Sequence, residues 1–444
     1  MKTPIVDFVK NYANSGVTRL HMPGHKGKDF VGFEKFDITE IDGADVLYNA
    51  SGIIAESQRN ATGLFGSEQT LYSTEGSSLC IRAMVHLIKS YALQNGQKPI
   101  IAAARNAHKT FVTACAILDL DVDWLLPKSQ SVISCVITAE LLDEYLQSAS
   151  QKPTAVYITS PDYLGNLTDI KNLSRVCKKY GVLLVVDNAH GAYLKFLPED
   201  KHPISLGADM CCDSAHKTLP SLTGGAYLHV GKCAPTFLAQ NAQSALSLFA
   251  STSPSYLIMQ SLDAVNRYIS DGYCQKLANL IKKVNTTKSN LLKGGYCLCG
   301  DEVLKITVCA KSYGYSGYEL SQTLLSQKIV CEFCDPDYIV FMLSPENEED
   351  LCKLESALLS VVKKDIIKQH PPTPSIKKRQ LSLNQAIYAT KEKKNVNDCI
   401  GCISASTDVA CPPAIPIVLP GEQIDEDAIQ CFKYYDIDEW IVVK

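Results

Sequence analysis

The stretch GVLLVVDNAHGAYLKFLPEDKHPISLGADMCCDSAHKTLPSLTGGAYLHV, residues 181–230, decides the fold. It holds a run of five apolar residues at 182–186, ending at Asp187, and further short strands at 208–212 and 226–230, each the length of a buried strand. Further runs of the same kind lie upstream at 99–104 and 155–159. Between them, residues 77–93 read as a helix. Residues 168–180 carry Ile170, Leu173, Val176 and Cys177 at helical spacing. Continuous apolar strands alternating with helices predict a mostly parallel sheet covered on both faces. In such sheets ligands sit beyond the carboxyl ends of the strands. Asp187 stands at one of those ends.

Beyond about residue 275 the pattern changes. Strands are expected at 304–308 and 338–343, with a helix at 317–327 between them and a long helix from 346 to about 368. Residues 369–380, QHPPTPSIKKRQ, read as a linker or exposed turn. The final piece holds CPPAIPIVLPGE, 411–422, whose prolines exclude a regular helix there. The expected organisation is an α/β large domain over 1–275 and a smaller C-terminal α+β domain over 276–444, with 376–444 as its last part.

Composition narrows the class. The 444 residues are 46% hydrophobic and 20% charged, with a formal net charge of −4. This is an ordinary globular balance, with no basic excess to suggest nucleic acid or an anionic membrane as partner. The opening MKTPIVDFVK has no apolar signal core, and no apolar run approaches the ~18 residues of a membrane helix. A cytoplasmic protein is expected. The 18 cysteines include two CxxC pairs, Cys331/Cys334 and Cys399/Cys402. Neither sits between the Gly-rich knuckles of a zinc ribbon, so buried thiols are expected rather than a metal site or disulfides.

Four local features converge on one chemistry. In DSAHKTLPSLTGG, 213–225, Lys217 is flanked by Ser214, His216 and Thr218; such a lysine can form an imine with an aldehyde cofactor, although a surface lysine is the blander reading. In VVDNAH, 185–190, Asp187 at a buried strand end needs a cationic partner, and a protonated pyridine nitrogen is one. A helix cap or a metal ligand would account for that acid equally simply. In STEGSS, 73–78, Gly76, Ser77 and Ser78 open a helix whose N–H groups can hold a phosphate. In RNAHKT, 105–110, His108 follows a strand, where its ring could stack on a flat cofactor or serve as a polar loop residue. Phosphate cradle, stacking face, pyridinium partner and lysine together predict pyridoxal 5′-phosphate (PLP).

On these motifs the chain resembles the Orn/Lys/Arg decarboxylases, PLP enzymes of the aspartate-aminotransferase fold (fold type I), in a short form without an N-terminal wing domain. The resemblance runs through HMPGHKG (21–27), residues 36–78, DNAHGA (187–192), SAHKTLPSLTGGAYLH (214–229), STSPSY (251–256) and GCISASTDVACPPAIPIVLPGE (401–422). It implies that Lys217 carries the cofactor and Asp187 binds its ring nitrogen. It implies that His108 stacks on the ring and His190 lies near it. Ser77, Ser78, Ser214 and His216 would contact the phosphate, and Thr252 or Ser253 would complete that site from the other subunit of a homodimer. His216 or Lys217 would return a proton to the substrate. The C-terminal block departs from the family's pattern at Ser406 and at Cys411-Pro412-Pro413-Ala414, which bears on substrate choice.

The expected reaction is decarboxylation of arginine, lysine or ornithine. A basic side chain calls for an acidic pocket wall, for which Glu422 and Asp45 are the candidates. The alternatives are an aminotransferase or C–S lyase on the same fold, or a catalytically inactive regulatory homologue. Residues 381–444 contain no arginine to hold a transaminase substrate's carboxylate, and Lys217 and Asp187 are both retained.

Overall fold

In the computed structural model the described residues are all but 128–130, 132, 373–376 and 408–413. They form an α/β protein with a mostly parallel seven-stranded sheet. Its strands are β1 (Gln69–Ser73), β2 (Ile100–Ala104), β3 (Asp121–Leu125), β4 (Ala155–Thr159), β5 (Leu183–Asp187), β6 (Met210–Asp213) and β7 (Ala226–Val230). The backbone divides into two compact units, residues 1–98 with 170–276, and 99–169 with 277–444.

In the first unit the pairing runs β1-β7-β6-β5. β5 and β6 are parallel, and β7 is antiparallel to both β6 and β1. All five residues of β5 are buried, which is why an unbroken apolar run encodes it. Register places Asp187 beside Cys212. The apolar reading misses β1, because its sequence QTLYS carries three polar residues. Thr70 and Ser73 are nevertheless buried, and Thr70 is hydrogen-bonded to His229 across the sheet. The helix Gly76–Gln94 follows β1 directly and buries one long face, including Leu79, Met84, Leu87 and Ile88.

In the second unit β2 pairs in parallel with both β3 and β4. Downstream, β8 (Leu298–Cys299), β9 (Lys305–Cys309), β10 (Phe333–Cys334) and β11 (Tyr338–Met342) form an antiparallel sheet in the order β10-β11-β9-β8. β12 (Lys391–Asn395) and β13 (Glu439–Val443) form an antiparallel pair. The end of the chain has its own core, in which Phe432, Trp440, Val418, Ile424 and Cys399 are buried together.

The long helix expected from 346 to about 368 is a correction. A 3₁₀ turn, Pro345–Asp350, leads into a helix that ends at Ser360. Beyond it the chain is held from outside. Lys364 N–H donates to the Tyr313 carbonyl and Ile367 N–H to that of Lys311, so neither serves a helix. The β-branched pair Val361-Val362 also weakens helix continuation. Among the described residues no helix is long and apolar enough to cross a membrane.

Candidate active site

In the first unit the strand ends assemble a polar cluster. The Asp187 carboxylate is 3% exposed at the end of β5. Its Oδ1 accepts from the Ala189 N–H at 3.2 Å and from the Cys212 thiol at 3.6 Å. The chain turns immediately: Gly191 N–H bonds back to the Asn188 carbonyl, and the Asn188 side chain donates to Asp213 at 2.7 Å. This turn delivers His190, whose Nε2 lies 3.1 Å from the Lys217 Nζ. Lys217 sits in the one-turn helix Ala215–Thr218 just after β6 and is half-buried. Lys217 is thus tied to a residue three positions beyond a buried carboxylate, not released into solvent.

The helix Gly76–Gln94 supplies the second wall. Gly76 has φ +69°, which favours glycine, and a side chain there would meet no atom within 4 Å. Its N–H donates to the Gly224 carbonyl at 2.8 Å. Gly224 itself has φ +96°, and a Cβ there would lie 2.9 Å from the Thr74 carbonyl oxygen. The Gly-Gly pair therefore lets the loop after Lys217 lie against the start of that helix. Ser214 Oγ donates to Ser77 Oγ at 2.9 Å, which brings the two hydroxyls together. His216 Nδ1 lies 3.0 Å from the Gly225 carbonyl oxygen. The segment carrying Thr252 and Ser253 is exposed, and is tied to this wall through the Ser251 N–H, 2.8 Å from Glu75 Oε1.

This unit fits PLP. A buried carboxylate at a strand end, a half-buried lysine beside an imidazole, and paired hydroxyls at an open, glycine-led helix start match its pyridine nitrogen, aldehyde and phosphate.

In the second unit His108 follows β2, and its ring Nδ1 accepts from the Thr110 N–H at 3.2 Å, capping the helix Lys109–Ile117. Glu422 is buried, and its Oε2 lies 3.3 Å from Arg105 Nη2 and 2.7 Å from the Leu419 nitrogen. Arg105 also donates to the carbonyls of Pro416 and Ile417 and lies over Trp124. Burial pushes the Glu422 carboxyl above its ordinary range, against the pull of Arg105. Arg105 is a residue the motif reading passed over; its position just after a strand is the only sequence signal for it. Ser406 is buried, while Cys411-Pro412-Pro413 lie outside the described residues.

Asp45, in the first unit, has its carboxylate committed to the backbone. It accepts from the N–H groups of Val46, Ser51, Gly52, Ile54 and Ala55 at 2.8–3.3 Å, at the start of the helix Ile53–Phe65. Although burial raises its pKa, those N–H groups hold it below the usual range. Both acids proposed for a basic substrate are thus already engaged within the fold.

Comparison with known proteins agrees with this reading. A family model described as "Orn/Lys/Arg decarboxylase, major domain" matches residues 3–298. An arginine decarboxylase of Halalkalibacterium halodurans is 30% identical over 96% of this chain and 91% of its own. An arginine decarboxylase of Bacillus subtilis is 29% identical over 98% and 94%. Among solved structures, the Francisella novicida lysine decarboxylase superposes with a TM-score of 0.80 at 17% identity, covering 99% of this chain and 79% of that one. The constitutive lysine decarboxylase of Escherichia coli gives 0.77 at 16% identity, covering 100% and 82%. These two likenesses establish the fold. The chain belongs to the Orn/Lys/Arg decarboxylase family of PLP-dependent enzymes.

Proposed function

We propose that this chain removes the α-carboxylate of arginine, lysine or ornithine as carbon dioxide and yields the corresponding amine. The observation that carries the reading is the 3.1 Å contact between Lys217 Nζ and His190 Nε2, on a turn that begins at buried Asp187. PLP bound there supplies an electron sink for the pair left when the carboxylate's C–C bond breaks.

The chain's residues have separate tasks. Lys217 would hold the cofactor through its aldehyde carbon. The Asp187 carboxylate would face the pyridine nitrogen and favour its protonated form, as a nearby opposite charge does. Ser77, Ser78, Ser214 and His216 would take the phosphate, at the helix start that Gly76 opens; the Gly76 N–H itself is engaged by the Gly224 carbonyl. His108 covers the ring, and His190 holds the Lys217 amine in place. His216 or Lys217 then returns a proton to the α-carbon. Thr252 or Ser253 of a second copy completes the phosphate site, so the working unit is a homodimer.

The test is to incubate the PLP-loaded protein with arginine, lysine and ornithine separately, measuring carbon dioxide and amine. Equimolar carbon dioxide and amine from at least one of the three is expected. Formation of a keto acid without carbon dioxide would make the protein an aminotransferase and overturn the proposal.

A further inference from the structure

A second cluster of ligand-type side chains lies in the first unit and plays no part in the chemistry above. His202, Cys211, Asp213 and His229 are fully buried, and one ligand atom from each lies within 4.8 Å of the other three. Three of them are placed by the sheet. Cys211 and Asp213 are two residues apart on β6 and so share a face. His229 on β7 stands directly opposite Cys211. His202 comes from the connection between β5 and β6.

We propose that these four side chains bind a zinc ion, or a divalent transition metal of the same preference. His202 Nε2 and His229 Nε2 lie 3.0 and 3.1 Å from one atom, Asp213 Oδ2. Ligand atoms about 2.0–2.3 Å from a tetrahedral zinc stand roughly 3.3–3.8 Å apart, so those two contacts would open by a few tenths of an ångström and the widest separation of the set, up to 4.8 Å, would close by about 1 Å. The donor set is also suitable: two imidazoles, one thiolate and one carboxylate favour zinc over magnesium or calcium. One carboxylate and one thiolate cancel the charge of the dication, which matters where water is excluded.

An outer shell is present. His229 Nδ1 lies 2.8 Å from Thr70 Oγ1, which in turn lies 2.8 Å from Ser67 Oγ. A histidine that binds metal through Nε2 carries its proton on Nδ1 and needs such an acceptor. Asp213 Oδ1 accepts from Asn188 Nδ2 at 2.7 Å, which fixes the carboxylate plane. His202 Nδ1 is buried without a partner among the described residues, so the outer shell is built on the His229 and Asp213 side. Binding would release the Cys211 thiol proton to solvent and move each imidazole proton from Nε2 to Nδ1.

The site would pin the β5–β6 connection to the sheet, one residue before Ser214. Aromatic rings close over it: Phe65 lies 4.5 Å from the His229 ring and 5.4 Å from that of His202. The ion is therefore taken up as the chain folds and exchanges slowly afterwards.

The test uses untagged full-length protein, PLP-loaded and expressed in zinc-supplemented medium. Elemental analysis after extensive dialysis should find about one zinc per chain. Protein refolded with cobalt(II) should show the visible bands of a tetrahedral ion and a thiolate-to-cobalt charge-transfer band. Cys211→Ala should lose the charge-transfer band and most of the bound zinc while retaining the cofactor's absorbance. Absence of zinc from the wild type together with no cobalt spectrum would overturn the proposal, as would full metal content in Cys211→Ala. The wild-type measurements need no variant to fold.

Discussion

At the scale of single residues, the site is a matter of where two charges are kept. Asp187 is buried, and its Oδ1 accepts from the Ala189 N–H and the Cys212 thiol. If its partner is a protonated ring nitrogen, Asp187→Asn leaves the fold intact but removes the charge that holds the proton. We expect kcat to fall by about 10²–10³, the cost of removing one preorganised electrostatic group, measured as carbon dioxide release at saturating PLP. A decrease below about tenfold would place the ring nitrogen elsewhere. Asp187 and Lys217 stand out in the sequence as candidates, because an acid ending an apolar run and a lysine among Ser, His and Thr are local patterns. The contact of His190 with Lys217 does not, since it joins positions 27 apart through a turn.

At the scale of elements, Glu422 and Asp45 illustrate what a sequence hides. Each reads as an isolated acid, and each is consumed by partners with no regular spacing. Glu422 neutralises Arg105, which also binds two carbonyls, so the pair clamps residues 416–422 to the end of β2. Glu422→Gln should cost about 3 kcal/mol of stability, since it leaves a buried guanidinium without its counter-charge. KM for the basic amino acid should be unchanged. Denaturant unfolding beside steady-state kinetics checks this; a hundredfold rise in KM with an unchanged midpoint would instead make Glu422 the specificity acid. Asp45→Ala should cost about 1–2 kcal/mol through lost capping of the helix Ile53–Phe65. The seven-stranded sheet was readable where strands are wholly apolar. β1 and β3 were not: both carry polar residues, and in β1 the buried Thr70 is satisfied by His229, far along the chain, while Ser73 bonds the nearby Gly76 carbonyl. The helix stop at Ser360 was missed for a related reason, namely backbone partners at Lys311 and Tyr313.

At the scale of the whole molecule, burial of carboxyl groups sets the pH response. Burial pushes Asp209, Asp263 and Asp335 up to about 6 against backbone N–H donors. Asp335 Oδ1 accepts from Asp337 and Tyr338 N–H, while Oδ2 is buried without a partner among the described residues. A folded-state pKa above the unfolded value of 3.8 means that the folded state binds the proton more tightly. That stability is fully present below about pH 4 and is lost as pH rises through about 6. Asp335→Asn should therefore flatten the decline, gaining on the order of 2–3 kcal/mol relative to wild type between pH 4 and 7.5. Urea titrations at those two pH values decide it, and an unchanged difference between them would exclude Asp335 as the source.

Among all these measurements, one addresses the Lys217 assignment without intermediaries. The PLP-loaded protein is reduced with borohydride, digested, and its peptides are sequenced by mass spectrometry. The cofactor is predicted on Lys217 alone, and the modified peptide should be missing from Lys217→Ala. A cofactor found on another lysine, or on none, would contradict the account.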